Sequence, residues 1–253
     1  MIRKLSTKKD WWEVSNLKKD EEKSSKLDDS ELNVQTDFDS YRKLQKGYDI
    51  DATMLSSHND LNPKNKIAFI HKWISFDKDS VLNVLDVGCG VGFTTHELGN
   101  YYSNSLVVGV DISSDGISYA KENFKKEKFI CQGIDPKDPP LGEYDLIFCF
   151  EFYPFTRTNS LQTHKDYLIY FLSQLKQDGK LILHQHWENN YSISTNIDQI
   201  KIDLSQYQFN INRIPSAKII SLIKFRYLSV IVDKFVRFIL KKDHQKAIIV
   251  TKK

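Results

Sequence analysis

Cysteine is scarce in this 253-residue chain, which has three, at positions 89, 131 and 149. None stands at zinc-site spacing from another, and an odd number excludes a fully paired disulfide framework. Reduced thiols and a cytoplasmic location are therefore expected. Net charge is equally modest: 36 Lys and Arg against 33 Asp and Glu leave +3, too little to argue for nucleic acid, and no DNA partner is expected. Long apolar runs are missing too. No uncharged stretch approaches the ~18 residues of a transmembrane helix. The first ten residues, with Arg3, Lys4, Lys8 and Lys9, lack the apolar stretch of a secretion signal. No internal repeat is visible.

Apolar residues make up 40% of the chain, enough for a proper core. Residues 1–60 are dense in charge of both signs, with Trp11 and Trp12 as a local apolar feature. They are expected to form an N-terminal arm that packs on the body, serves as a lid, or makes a homodimer contact. Residues 61–253 are expected to form the catalytic-size domain.

Within that domain, Asn62-Pro63 opens a helix, since Asn can cap and Pro suits the first helical position. Ile67, Ile70 and Ile74, flanked by Phe69 and Trp73, supply its apolar face. Strands follow at Val81 to Val87, Leu106 to Asp111, Lys128 to Gln132, Tyr144 to Phe150 and Lys180 to His186. Helices are read at Phe93 to Tyr102, Ser114 to Phe124 and Tyr167 to Leu175, with a turn at Asp178-Gly179. Two more strands are expected at Tyr207 to Ile211 and Lys246 to Thr251. The alternation predicts an α/β fold: a doubly wound, mostly parallel, seven-stranded sheet with helices on both faces. A helical insertion is expected over about residues 216–242, before the last strand. From Lys201 onward 12 basic residues face 3 acids, so this insertion either packs on the sheet with its basic residues outward or offers a basic cleft or membrane-surface helix.

The first strand runs into Asp86-Val87-Gly88-Cys89-Gly90-Val91-Gly92. Glycine at every second position lets the backbone turn sharply and approach a ligand closely. The spacing differs from the G-x-G-x-x-G of dinucleotide folds, and Asp86 stands two residues before the first glycine. A carboxylate there would repel a pyrophosphate and suits a cationic group such as an amino-acid ammonium. Asp111 ends the second strand 19 residues after Gly92, where an acid can accept hydrogen bonds from both ribose hydroxyls.

On these residues the chain resembles the class I, Rossmann-like S-adenosylmethionine-dependent methyltransferases over roughly residues 62–190, plus the last strand. The resemblance implies S-adenosyl-L-methionine as cofactor. It implies a seat for the amino-acid end at Asp86, Gly88, Cys89, Gly90 and Gly92, and a ribose hold at Asp111 with Ile112 against the adenine. Gly133, Ile134 and Asp135 would flank the adenine, although the family more often has Gly-Asp without the inserted Ile134; for Asp135 a loop-capping role is the alternative. Phe150 and Glu151 would lie near the methionine and the sulfonium.

Methyl transfer is an in-line displacement, so the enzyme chiefly holds the nucleophile close and aligned. A hydroxyl acceptor also wants a base, a metal or a lowered pKa. Catalytic candidates lie at the exits of strands 4 and 5: Glu151, and His184 or His186, which share a face in an extended strand; His164 is a further option. His184, His186 and Glu188 could alternatively ligate a metal, although no metal is assigned. Arg157 would suit a carboxylate or phosphate, and Tyr153 and Trp187 could wall the acceptor's seat. The expected function is methylation of a polar small molecule, at oxygen, in the manner of enzymes acting on surface-carbohydrate or related precursors. The nucleic-acid-type Asn-Pro-Pro-Tyr exit is absent. The alternatives are a lipid-linked or RNA acceptor, or a non-catalytic cofactor-binding protein of the same fold.

Overall fold

The computed structural model describes residues 63–156, 158–186, 192–215, 219, 223, 226–240 and 245–253. The expected arm at 1–60 lies outside them, as do Asn62, Arg157, Trp187 and Glu188.

Seven strands form one sheet in the order β3-β2-β1-β4-β5-β7-β6. They are β1 Asn83–Val87, β2 Leu106–Asp111, β3 Lys128–Cys131, β4 Tyr144–Phe150, β5 Leu175–His186, β6 Tyr207–Ile214 and β7 Gln245–Lys252. β1 pairs in parallel with both β2 and β4, whereas β7 runs antiparallel to β5 and β6. The doubly wound, mostly parallel fold expected from the alternation is the fold observed.

Helices cover both faces because the central strands are apolar on both sides. Leu85 and Val87 point to one face, where α5 (Leu161–Ser173) and α6 (Ile193–Asp203) pack on them together with Ile147, Leu181 and Leu183. Val84 points to the other face and packs with Phe148 and Ile182 against α1 (Pro63–His71) and α2 (Phe93–Tyr101). On that face α3 (Ser114–Asn123) closes over Phe129 through Ile117 and Ala120. Ile67, Phe69, Ile70 and Ile74 are buried as the spacing predicted. Each of the central strands β1, β2 and β4 thereby removes two rows of side chains from water, at roughly 25 cal/mol per Å² of apolar surface, whereas edge strand β3 buries only Phe129.

Several boundaries differ from the sequence reading. β3 ends one residue early, at Cys131, although Gln132 N–H still reaches the Asp111 carbonyl at 2.9 Å. β5 starts at Leu175 rather than Lys180. Its register jumps from Tyr144↔Leu175 to Leu146↔Lys180, and the expected turn survives inside the strand as an irregularity with Asp178 at φ 65°. α5 begins six residues before Tyr167 because Ser160 caps it, accepting from Thr163 N–H. A short helix, α4 (Tyr153–Thr156), and the whole of α6 were not read from the sequence. Within the insertion, the longest described element is α7 (Arg226–Leu240).

Candidate active site

The sheet's switch point lies between β1 and β4, from which the chain winds outward in opposite directions, and open α/β sheets bind ligands at that carboxyl edge. The glycine loop sits there. Gly88, Gly90 and Gly92 all adopt left-handed φ, at 73°, 54° and 83°, which L side chains adopt at a cost. Gly92 also serves as the N-cap of α2 without a side-chain cap, so the amides of the first turn face the loop.

The three glycines differ in what surrounds them. A Cβ at Gly92 would stand 2.8 Å from both Ala120 Cβ and Phe129 Cε1, so this glycine lets α2 and α3 approach. A Cβ at Gly88 would meet Phe152 Cδ2 at 3.2 Å, which sets the exit of β4 directly beside the loop. At Gly90 a Cβ would meet nothing within 4 Å. The backbone is therefore bare and open at Gly90, as a closely seated ligand requires.

Asp111 ties the loop to β2. Its Oδ2 accepts Gly90 N–H at 2.8 Å and its Oδ1 accepts Ser113 N–H at 2.7 Å. Ser113 in turn caps α3 by accepting Gly116 N–H at 3.0 Å. A carboxylate oxygen can accept more than one hydrogen bond, so this clamp is compatible with the expected ribose contact. Ile112, half-buried, follows directly, and its carbonyl faces the Cys131 thiol.

Asp86 is directed inward. It is buried, and Thr95 donates its hydroxyl to Asp86 Oδ2 at 2.7 Å. Burial first, and the nearby Asp111 charge second, push its carboxyl up to about 7, against the Thr95 hydrogen bond. Gly109, opposite Asp86 in β2, makes this possible: a Cβ there would fall 2.7 Å from Thr95 Oγ1 and 2.9 Å from Cys89 Sγ. Neither Thr95 nor Gly109 was singled out from the sequence. The available signal was a hydroxyl in the first turn after the loop and a glycine inside an otherwise branched strand. Burial also raises the Cys89 thiol well above its ordinary range, so it stays neutral as a packing group.

The residues after β3 divide. Ile134 points into the core and its carbonyl accepts the Tyr167 hydroxyl at 2.9 Å. Asp135 accepts Lys137 N–H at 2.9 Å, the loop-capping arrangement that stood as its alternative. Gly133, half-buried, precedes them.

At the exit of β4, Phe150 packs edge-on against the His184 ring, with centroids 5.1 Å apart. Glu151 follows in the left-handed region at φ 53° and donates its N–H to the His184 carbonyl at 2.9 Å. Its carboxylate lies 3.7 Å from His184 Nδ1 and is 38% exposed, against 2% for His184. His184 Nε2 lies 3.2 Å from Gln245 Oε1, so it carries the hydrogen and donates it. Glu151 is the solvent-facing member of the pair. Tyr153 opens α4 half-buried. His186 ends β5; its side chain, like Arg157 and Trp187, lies outside the described residues.

His164 has a different role from the base considered in the sequence. It is fully buried in α5, with Nε2 at 3.0 Å from the Thr158 carbonyl and Nδ1 at 3.1 Å from Asn196 Nδ2. Both ring nitrogens are used, one as donor and one as acceptor. Burial lowers its pKa to about 4, outweighing its backbone hydrogen bonds. It is a neutral core histidine joining α5 to α6. Among the described residues, no group of three or more His, Cys, Asp or Glu side chains could hold a metal ion.

A family model described as a methyltransferase domain matches residues 78–243, and the chain belongs to that family. It is similar to the malonyl-[acyl-carrier protein] O-methyltransferase of Acetivibrio thermocellus, with 28% identity over 39% of this chain and 38% of that protein. It is also similar to the mitochondrial ubiquinone biosynthesis O-methyltransferase of Saccharomyces cerevisiae, with 35% identity over 30% of this chain and 26% of that protein. These matches span well under half the length of either relative. Among solved structures, magnesium protoporphyrin IX methyltransferase from Synechocystis PCC 6803, with bound S-adenosylmethionine, has TM-score 0.55 and 14% identity, covering 89% of this chain and 100% of that one. The plantazolicin methyltransferase BpumL with S-adenosylhomocysteine has TM-score 0.54 and 15% identity, covering 84% and 90%. The chain thus carries a methyltransferase domain over residues 78–243, and the open backbone at Gly90 beside Asp111 fits the S-adenosylmethionine that the sequence motif implies.

Proposed function

We propose that this enzyme methylates an oxygen of a polar small molecule, with Glu151 as the group that receives the acceptor's proton. The observation that carries this reading is the Glu151–His184 pair at the adjoining ends of β4 and β5, with Phe152 of the same exit against Gly88 of the cofactor loop. When bound, S-adenosylmethionine supplies a methyl group on a sulfonium, ready for in-line displacement. The glycine loop and Asp111 hold the amino-acid and ribose parts, and Asp86 favours the ammonium through the loop. Gly133, Ile134 and Asp135 line the adenine end through their backbone.

Glu151 would accept the hydroxyl proton as the acceptor oxygen takes the methyl group, the carbon–sulfur bond of the sulfonium breaking to leave S-adenosylhomocysteine. His184 acts behind it as a positioning residue. With Nε2–H held by Gln245, Nδ1 is turned to the carboxylate, where it offers a second seat for the proton. His186, the last residue of β5, is the alternative base. Tyr153 would wall the acceptor's seat; Arg157 and Trp187, the other candidates from the sequence, lie outside the described residues. The O-methyltransferase names of the relatives support oxygen as the target. Sugar precursors of surface carbohydrates are the acceptor class that the strand-4 exit suggests.

The test is production of S-adenosylhomocysteine with panels of sugars, hydroxy acids, carboxylic acids and amines. Turnover with an oxygen acceptor is expected, and Glu151→Gln should lower kcat on the order of a hundredfold with unchanged S-adenosylhomocysteine affinity. Turnover confined to amines, or an unaffected kcat in the variant, overturns the reading.

A further inference from the structure

Gln185 stands one residue from the end of β5 and is 1% exposed. Neither its Nε2 nor its Oε1 has a hydrogen-bond partner among the described residues, and both atoms are shut from water. A buried amide normally finds partners, because donors and an acceptor taken out of water unpaired cost stability. A side chain of the same length without polar hydrogens, such as Met, would avoid that cost. The amide at this position calls for a partner from outside the chain.

Its surroundings favour a particular kind of partner. Alternation along β5 puts His184 on one face and Gln185 on the other, with Leu181 and Leu183. In register, Gln185 lies opposite Lys246 on β7, and Lys246 lies opposite Arg213 on β6. Cross-strand partners share a face, so an amide and two cations form one row over three strands at the edge where β5 ends. Arg213 is engaged with Asp233, Nε to Oδ2, at 3.2 Å. Lys246 stands half-buried beside Gln185. Burial first, and then the charges of Arg213 and Lys201, lower the Lys246 pKa. The net direction is downward, so this ammonium stands where an added negative charge is favoured.

We propose that Gln185 and Lys246 form the seat for an oxyanion of the methyl acceptor, a carboxylate or a phosphate. Gln185 would donate Nε2–H to it while Lys246 supplies a charge-assisted bond. The amide makes no hydrogen bond where it lies, so turning this flexible side chain to the ligand breaks none. On the other side of β5, Phe150 lies opposite His184, which sets Glu151 alongside Gln185. Strands lie about 4.8 Å apart, so Lys246 is two strands, roughly 10 Å, from the exit of β4. The acceptor would then carry its acid group about that far from the oxygen that is methylated. Assigning the oxyanion to the acceptor rests on the methyl-transfer reading, whereas the seat itself does not.

Melting of the full chain with inorganic phosphate or with succinate, at constant ionic strength set with chloride, tests the seat. At least one of the two anions should raise Tm by about 2 °C or more, succinate pointing to a carboxylate and phosphate to a phosphate group. Gln185→Met and Lys246→Met should each abolish that rise. Without either anion, Gln185→Met should melt about 2–4 °C above the wild type, because an unpaired buried amide is gone. Its affinity for S-adenosylhomocysteine should be unchanged. A lower Tm for Gln185→Met means that the amide is already bonded, as to an internal water, and overturns the proposal. A rise that survives both variants, the mark of an adventitious ion only, overturns it too, and so does the absence of a rise with either anion. A failed seat alongside methylation of neutral oxygen acceptors leaves the enzymatic reading standing. Anion binding that depends on Gln185, with no turnover of any oxygen acceptor, keeps the seat and overturns that reading instead.

Discussion

The carboxylate of Asp111 holds the glycine loop by its middle residue, accepting the N–H of Gly90 at 2.8 Å from the end of the neighbouring strand. Its other oxygen accepts Ser113 N–H at 2.7 Å, at the start of α3. One side chain thus couples the cofactor loop, β2 and α3. Asp111→Asn replaces an acceptor oxygen by a donor NH2 facing one of these amides. Affinity for S-adenosylhomocysteine, measured by calorimetry, should fall by about tenfold or more, and folding stability by about 1–3 kcal/mol.

Gly90 and Gly92 should respond differently to alanine. At Gly92 the added Cβ collides with Ala120 and Phe129 and the backbone is left-handed, so Gly92→Ala should lose about 2 kcal/mol or more in a urea melt. At Gly90 there is no collision, and the left-handed backbone alone should cost about 1 kcal/mol. Gly90→Ala should nevertheless impair cofactor binding, because its methyl projects where the ligand approaches. Equal losses of stability in the two variants would contradict this division.

Asp86, with its carboxyl raised to about 7 by burial, should make cofactor binding depend on pH. Its ionised form attracts the ammonium, so affinity for S-adenosylhomocysteine should rise as pH increases from 6 to 8, about the raised value, and Asp86→Asn should flatten that rise. Stability runs the other way. A carboxyl with a raised folded pKa contributes stability below the ordinary carboxylate range that is lost as pH rises through about 7. Thermal melts of the free wild type, compared with the variant, should show that loss.

His164 should dominate the acid side. Its pKa is lowered to about 4 in the folded protein, so the unfolded chain takes up the proton first as pH falls below the ordinary histidine value. The stability its neutral form contributes is complete above that value and is lost as pH falls through about 4. His164→Gln should reduce the slope of Tm against pH between those limits. A slope identical to the wild type would mean that the ring is not buried neutral between Thr158 and Asn196.

Much of the fold was legible because its signals are local. The apolar runs ending at Val87, Asp111 and Phe150 could only be buried strands, and the glycine spacing needed no partner to be recognised. α6 was missed because its buried residues, Ile193, Ile197 and Ile200, are diluted by polar neighbours, and it gains its stability from packing on α5. β5 was placed late because its first residues pair with Tyr144 across an irregular register, which no local pattern encodes.

By itself, then, the sequence determined the strand order's raw material, the left-handed loop and the acid that closes β2, because each depends on residue type and near-neighbour spacing. The tertiary structure decided what those residues face. It turned Asp86 inward to Thr95, set Glu151 in front of a buried His184, enclosed His164 in the core, and turned the apolar side of α7 outward. These outcomes depend on which surfaces meet across distances of tens of residues, and burial, not identity, sets the charge and reach of each side chain.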